Sequence, residues 1–101
     1  RIVEVAADLV GVATAALPDP AQPELARSLG LAADEHGFLE ERDRNLAPVE
    51  TTRPGVFVAG AAVGPKDIPE TVAQASAAAA QALSLFARWQ AERPANTDEQ
   101  R

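Results

Sequence analysis

Cysteine, methionine and tyrosine are absent from the 101-residue chain, and aromatic residues make up only 4% of it. Without thiols it offers no disulfide, no thiolate metal site, no iron–sulfur ligation and no cysteine nucleophile. Large side chains are scarce, because much of the 47% hydrophobic share is alanine. A core built on alanine is thin and relies on close backbone approach, so the composition suits a piece that packs against something else. No apolar run nears the roughly 20 residues of a bilayer span, and no signal-peptide pattern opens the chain. A reducing cytoplasm is compatible with this, and no membrane partner is expected. Fifteen acidic residues outnumber nine basic ones, for a net charge of −6. The sequence shows no basic patch for neutralising phosphates, which argues against a nucleic-acid partner. Without an initiator methionine, the strand-like opening Arg1-Ile2-Val3 reads as an internal point of a longer chain.

What is present falls into short elements. Ile2, Val3 and Val5 alternate with Arg1 and Glu4, an edge-like strand. Leu9 to Ala13 is a continuous apolar run that fits a strand buried on both faces. Prolines 18, 20 and 23 make an irregular link. Glu24 to Leu29 carries a helical pattern stopped by Gly30. Asp34 to Gly37 and Arg42 to Asn45 read as turns, and Ala47 to Pro54 as a polar loop. Gly55 to Gly60 is the most definite strand expected, four apolar residues between two glycines. A small-residue loop, Ala61 to Lys66, leads to Asp67-Ile68-Pro69-Glu70. Here Asp67 suits an N-cap, Pro69 the first turn and Glu70 a capping box. The helix that follows is expected to run to about Arg93, with Val72, Ala75, Ala79, Leu83 and Phe86 on one face. Residues 1–93 thus form one segment, and 94–101 a polar tail expected to be disordered.

The unit from Gly55 to Ala80 carries the functional reading. A loop of small residues lets a planar ligand approach the backbone, and the next helix presents N–H groups and the positive end of its dipole. Physics alone leaves an ordinary βα connection open.

A resemblance adds to this. Thr51-Thr52-Arg53-Pro54-Gly55-Val56-Phe57-Val58-Ala59-Gly60 resembles the second flavin-binding motif of the two-dinucleotide-binding-domain flavoproteins, the pyridine nucleotide–disulfide reductase superfamily. Asp8 to Pro18, centred on Val12-Ala13-Thr14-Ala15, is similar to the Ala-Thr-Gly strand of that superfamily. Gly60 to Glu70, with its Gly-Pro-Lys-Asp-Ile-Pro string, and Val72 to Ala79 resemble the A subunit of heterodisulfide reductase and its bacterial relatives. The resemblance covers roughly residues 8 to 90.

It implies an α/β fold, the C-terminal fragment of a Rossmann-like FAD-binding domain with short strands and one long C-terminal helix. The implied activity is electron transfer through FAD, with this piece closing over the isoalloxazine edge. Gly60, Ala61 and Ala62 would pass along the flavin. N–H groups near Asp67 and Ile68 would face its N1–C2=O edge, and Lys66 would add positive charge. The family's ribityl-binding aspartate falls at Ala61, and its Ala-Thr-Gly glycine at Ala15. No Gly-x-Gly-x-x-Gly fingerprint is present, so the FAD pyrophosphate site and any iron–sulfur ligands are expected elsewhere in the parent. Tight FAD binding by this chain alone is not expected. The implied partners are the rest of the parent flavoprotein or iron–sulfur subunits; the apolar faces at Val10, Val12, Val56 and Val58 separately lead to the expectation of a homo-oligomer.

Other residues read plainly. His36 is expected as an exposed turn residue and Glu40 to Arg44 as a solvated charged stretch. Gln74 and Trp89 are expected to pack against neighbours, and Ser76 and Ser84 lack a base. No catalytic residue and no metal site is assigned. Two alternatives stay open: a non-catalytic docking module that self-associates through its alanine-rich helix, and an NAD-linked reductase of the wider superfamily.

Overall fold

The computed structural model describes residues 1–93. The polar tail expected at 94–101 lies outside the described residues. The radius of gyration is 21.0 Å, against about 13 Å for a compact domain of this length. The chain is therefore extended, and its regular structure begins only after Asp19.

Helix α1 spans Gln22–Leu29 and begins with Pro23 in its first turn. At its start the Asp19 carboxylate accepts from Ala21 N–H at 2.8 Å and the Asp19 carbonyl from Gln22 N–H at 2.9 Å. Gly30 ends it with φ 67°. There Leu31 N–H donates to Ala26 O at 2.8 Å and Gly30 N–H to Arg27 O at 3.2 Å, a Schellman closure that needs the left-handed residue glycine supplies.

Two carboxylate-centred turns follow. Asp34 Oδ1 accepts from His36 and Phe38 N–H, each at 2.9 Å. Partial desolvation pushes this carboxyl up, but the N–H groups of Phe38, His36 and Gly37 outweigh it and hold it below the usual range. Asp43 Oδ1 accepts from Asn45 at 2.9 Å and Leu46 at 2.8 Å. Those two donors hold Asp43 low as well.

The sharp turn at Thr51 to Val56 is closed from within. Thr51 is buried, and its hydroxyl lies 2.9 Å from the carbonyl oxygens of both Arg53 and Val56. Glu50 and Phe57 then form an antiparallel bridge, with Val58 N–H donating to Val49 O at 2.9 Å. Val56 to Ala59 runs extended, but the described residues hold single bridges and not the ladders that the Ile2–Val5, Leu9–Ala13 and Gly55–Gly60 patterns anticipate. A ladder needs a neighbour along its whole length. Leu9, Val10 and Val12 stand exposed with no strand beside them.

A short 3-10 turn, Gly60–Ala62, leads into helix α2, Ile68–Glu92. The core is thin, as an alanine-rich composition implies: Ala26, Leu39 and Val58, with Leu31, Ala62 and Val63 packed against them.

Helix α2 turns one face inward along Thr71, Gln74, Ala78 and Gln81, which are half-buried or partly exposed at spacings of three and four. The apolar stripe expected from the sequence lies beside it and is uncovered, with Val72, Leu83 and Phe86 all more than half exposed. The inward face is chosen by what the loop needs, small side chains and amide groups, and not by hydrophobicity. Trp89 is half-exposed, with the Arg93 guanidinium 4.6 Å from its ring centroid.

Candidate functional site

The segment from Gly60 to Ile68 opens on three small residues, Gly60, Ala61 and Ala62, that are held in place by both helices and by Leu39. Gly60 is buried with φ 66°, a conformation that favours glycine. A Cβ there would also stand 3.1 Å from the Thr71 methyl, so α2 lies hard against the turn. The Gly60 N–H donates to Gln74 Oε1 at 2.7 Å. At the other end of the turn, Ala62 O accepts from Gln22 Nε2 at 2.8 Å and from Leu39 N–H at 2.9 Å. Gln22 also donates to Gly37 O at 3.2 Å. One glutamine from each helix therefore pins one end of the turn.

The N-terminus of α2 is capped by its own first residues. Asp67 Oδ1 accepts from Glu70 N–H at 2.7 Å, and Glu70 Oε2 accepts from Asp67 N–H at 3.3 Å. The Thr71 hydroxyl donates to Asp67 O at 2.8 Å. This is the capping box that the Asp67–Glu70 spacing announces. It has a chemical consequence. The Asp67 N–H, expected to face a ligand, is already engaged, and two carboxylates sit at the positive end of the helix dipole. Ile68 is 80% exposed, Ala61 is exposed and Lys66 is half-buried. Lys66 forms no ion pair among the described residues.

The six positions expected from the sequence, Gly60, Ala61, Ala62, Lys66, Asp67 and Ile68, thus share one continuous strip. The two glutamines that fix it are not legible as site residues, since an amide 14 residues downstream and another 40 residues upstream follow no periodicity. His36 is exposed, 3.4 Å from Glu35, as its turn position suggests. Among the described residues no group of His, Asp and Glu could hold a metal ion, and no helix is long and apolar enough to cross a membrane.

Comparison with known proteins settles the kinship of this strip and its surroundings. A protein of Archaeoglobus profundus, named as like the A subunit of heterodisulfide reductase, is 54% identical over 85 residues, 84% of this chain. The iron-sulfur A subunit of the CoB–CoM heterodisulfide reductase of Methanocaldococcus jannaschii is 51% identical over 90 residues, 89% of the chain. The chain belongs to the family of heterodisulfide reductase A subunits. A third relative, the A subunit of the ferredoxin:CoB-CoM heterodisulfide reductase of Methanosarcina acetivorans, is 44% identical over 83 residues, or 82% of the chain. The chain spans only 12%, 14% and 10% of the length of these three relatives. No family model matches it. The chain carries one well-built loop and two exposed apolar surfaces, the N-terminal arm and the stripe of α2.

Proposed function

We propose that this segment of the heterodisulfide reductase A-type family is the C-terminal part of an α/β, Rossmann-like FAD-binding domain and serves electron transfer through the flavin. Its 60–68 strip borders the isoalloxazine edge. The observation that carries this is the Gly60–Ala62 turn, built of residues no larger than alanine, pinned at both ends and leading into the N-terminus of a 25-residue helix.

The residues present fit the group. A planar ring needs a wall without bulky side chains; the exposed Ala61 offers one, on a turn whose position the two glutamines fix. FAD, when bound, supplies the electron-transfer chemistry. The Ile68 N–H and the helix dipole supply positive potential at the ring edge, where negative charge gathers on reduction. The Asp67 and Glu70 carboxylates offset part of it, which gives the half-buried Lys66 the larger electrostatic role. Ala61 offers no carboxylate to the ribityl chain, so the sugar is held by other parts of the protein. The pyrophosphate site and any iron–sulfur ligands also lie outside this segment.

The partners are then the remainder of the parent flavoprotein and iron–sulfur subunits of the reductase. The exposed Leu9, Val10 and Val12 and the Val72–Phe86 stripe are the surfaces that pack on them. That same stripe supports a second reading, self-association of the isolated chain, because its uncovered apolar area favours pairing with any complementary apolar face.

Charge reversal at Lys66 tests the flavin reading. Two unit charges about 6 Å apart at an effective dielectric near 20 interact by about 3 kcal/mol, and screening of a partly exposed loop side chain lowers this to about 1 kcal/mol. Reversal doubles the change. In a full-length parent protein carrying this segment, Lys66→Glu should lower the two-electron reduction potential by about 40 mV. An unchanged potential at unchanged FAD content would place Lys66 away from the flavin.

A further inference from the structure

A concavity of about 330 Å³ opens where the Thr51–Phe57 turn meets the later part of α2. Its lining includes three guanidiniums, Arg42, Arg53 and Arg88, against a single carboxylate, Glu50. These are three of only nine basic residues in a chain of net charge −6. They lie 11 and 35 positions apart in sequence, so no linear basic run announces them. Arg42 also borders an adjoining hollow that Asp34, Glu40, Glu41 and Asp43 line.

Two of the three guanidiniums are held by the fold. Arg42 pairs with Glu50 at 2.8 Å, and Arg53 Nη1 donates to Leu29 O at 2.6 Å. Each contact uses only part of a five-donor fork, and a guanidinium already fixed loses less freedom on binding a ligand. Arg88 forms no ion pair among the described residues.

We propose that this cavity binds a phosphate-bearing small molecule, with Arg42, Arg53 and Arg88 as its phosphate ligands. Within the cavity's own lining three positive charges stand against one negative, an excess of two that the acidic hollow beside Arg42 offsets in part. A phosphoryl group carries about 1.5 to 2 negative charges at neutral pH and presents three acceptor oxygens to forked donors. A monocarboxylate would leave one guanidinium uncompensated. The volume exceeds that of a bare phosphate and falls at the lower end of small-molecule sites. Pro54, Val56 and Leu85, which also line the cavity, give an organic ester group an apolar wall. The cavity shares the Thr51–Phe57 stretch with the flavin-motif resemblance but no residue with the 60–68 strip.

The test titrates the full 101-residue chain, at constant ionic strength, with glycerol phosphate, inorganic phosphate, succinate and chloride. Nuclear magnetic resonance follows the arginine Nε–H groups and the Thr52 and Gly55 amides. The expected result is saturable shifts with both phosphates, tighter for the ester, confined to these residues. Arg88→Gln should weaken binding about tenfold, while Arg27→Gln, outside the cavity, should not. Unchanged helical circular dichroism in Arg88→Gln shows that α2 is intact. Equal binding of ester and inorganic phosphate would overturn the ester assignment. A response to succinate as strong as to phosphate, a response to phosphate no stronger than to chloride, or full binding by Arg88→Gln would overturn the site.

Discussion

Replacing Gln74 with leucine should unfasten the Gly60–Ala62 turn while leaving α2 in place. The Gln74 amide makes one tertiary bond, from Gly60 N–H to Oε1 at 2.7 Å, in a partly buried setting. Leucine keeps the approximate volume and a high helix propensity, so the helix itself loses little. The turn loses a hydrogen bond and leaves an amide of a buried glycine without its acceptor. A net bond is worth about 1 kcal/mol and an orphaned buried donor about 1–3 kcal/mol. Partial exposure favours the lower part of that range, so about 1–2 kcal/mol is expected. Each 1.4 kcal/mol is a factor of ten, so Gly60 amide hydrogen exchange should accelerate about 5- to 30-fold. Exchange in the middle of α2, near Ala79, should stay the same. Gln74→Glu retains an oxygen acceptor at the same reach and should restore most of the protection. Equal Gly60 protection in the leucine variant would refute the idea that Gln74 fixes the turn. Ala62, held at the opposite end by Gln22 and Leu39, would then be the sole anchor.

Three other perturbations follow from the same geometry. Gly60→Ala forces a left-handed residue and meets the Thr71 methyl at 3.1 Å, and should cost about 1–2 kcal/mol of local stability by hydrogen exchange. Asp67→Ala removes the cap on α2 and should cost about 1 kcal/mol, read as faster exchange confined to the first helical turn. The Asp43 carboxyl, lowered from 3.8 by the Leu46 and Asn45 N–H groups, contributes stability above its unfolded value. That stability is lost as pH falls through the depressed folded value, so the Asn45 and Leu46 amides should lose protection below about pH 4 and not between about pH 5 and 8.

The elements governed by local chemistry are legible in the sequence. Asp67 and Glu70 announce the capped start of α2, Gly30 announces the end of α1, and Asp34 and Asp43 sit in their turns. Their causes lie within four or five residues of each other. The strands at Ile2–Val5, Leu9–Ala13 and Gly55–Gly60 are not realised as ladders, because a strand's bonds are made by its neighbours. The stripe from Val72 to Phe86 is apolar as its spacing indicates, yet the fold turns the adjoining Thr71–Gln81 face inward to meet the loop. The strip from Gly60 to Ile68 is legible as a stretch, while its fastening by Gln22 and Gln74 and the gathering of Arg42, Arg53 and Arg88 depend on tertiary approach. Kinship to the heterodisulfide reductase A-type proteins follows from the Gly-Pro-Lys-Asp-Ile-Pro string and its surroundings, because that run is long and specific.

The central claim is that the 60–68 strip borders the flavin ring, and a tryptophan placed on it tests this most directly. Ala61 is exposed, so Ala61→Trp leaves the packing of this chain undisturbed. In a full-length parent protein carrying this segment and loaded with FAD, an indole against the isoalloxazine should either quench the flavin emission severalfold or displace the cofactor. Unchanged FAD content together with unchanged flavin fluorescence would contradict the account.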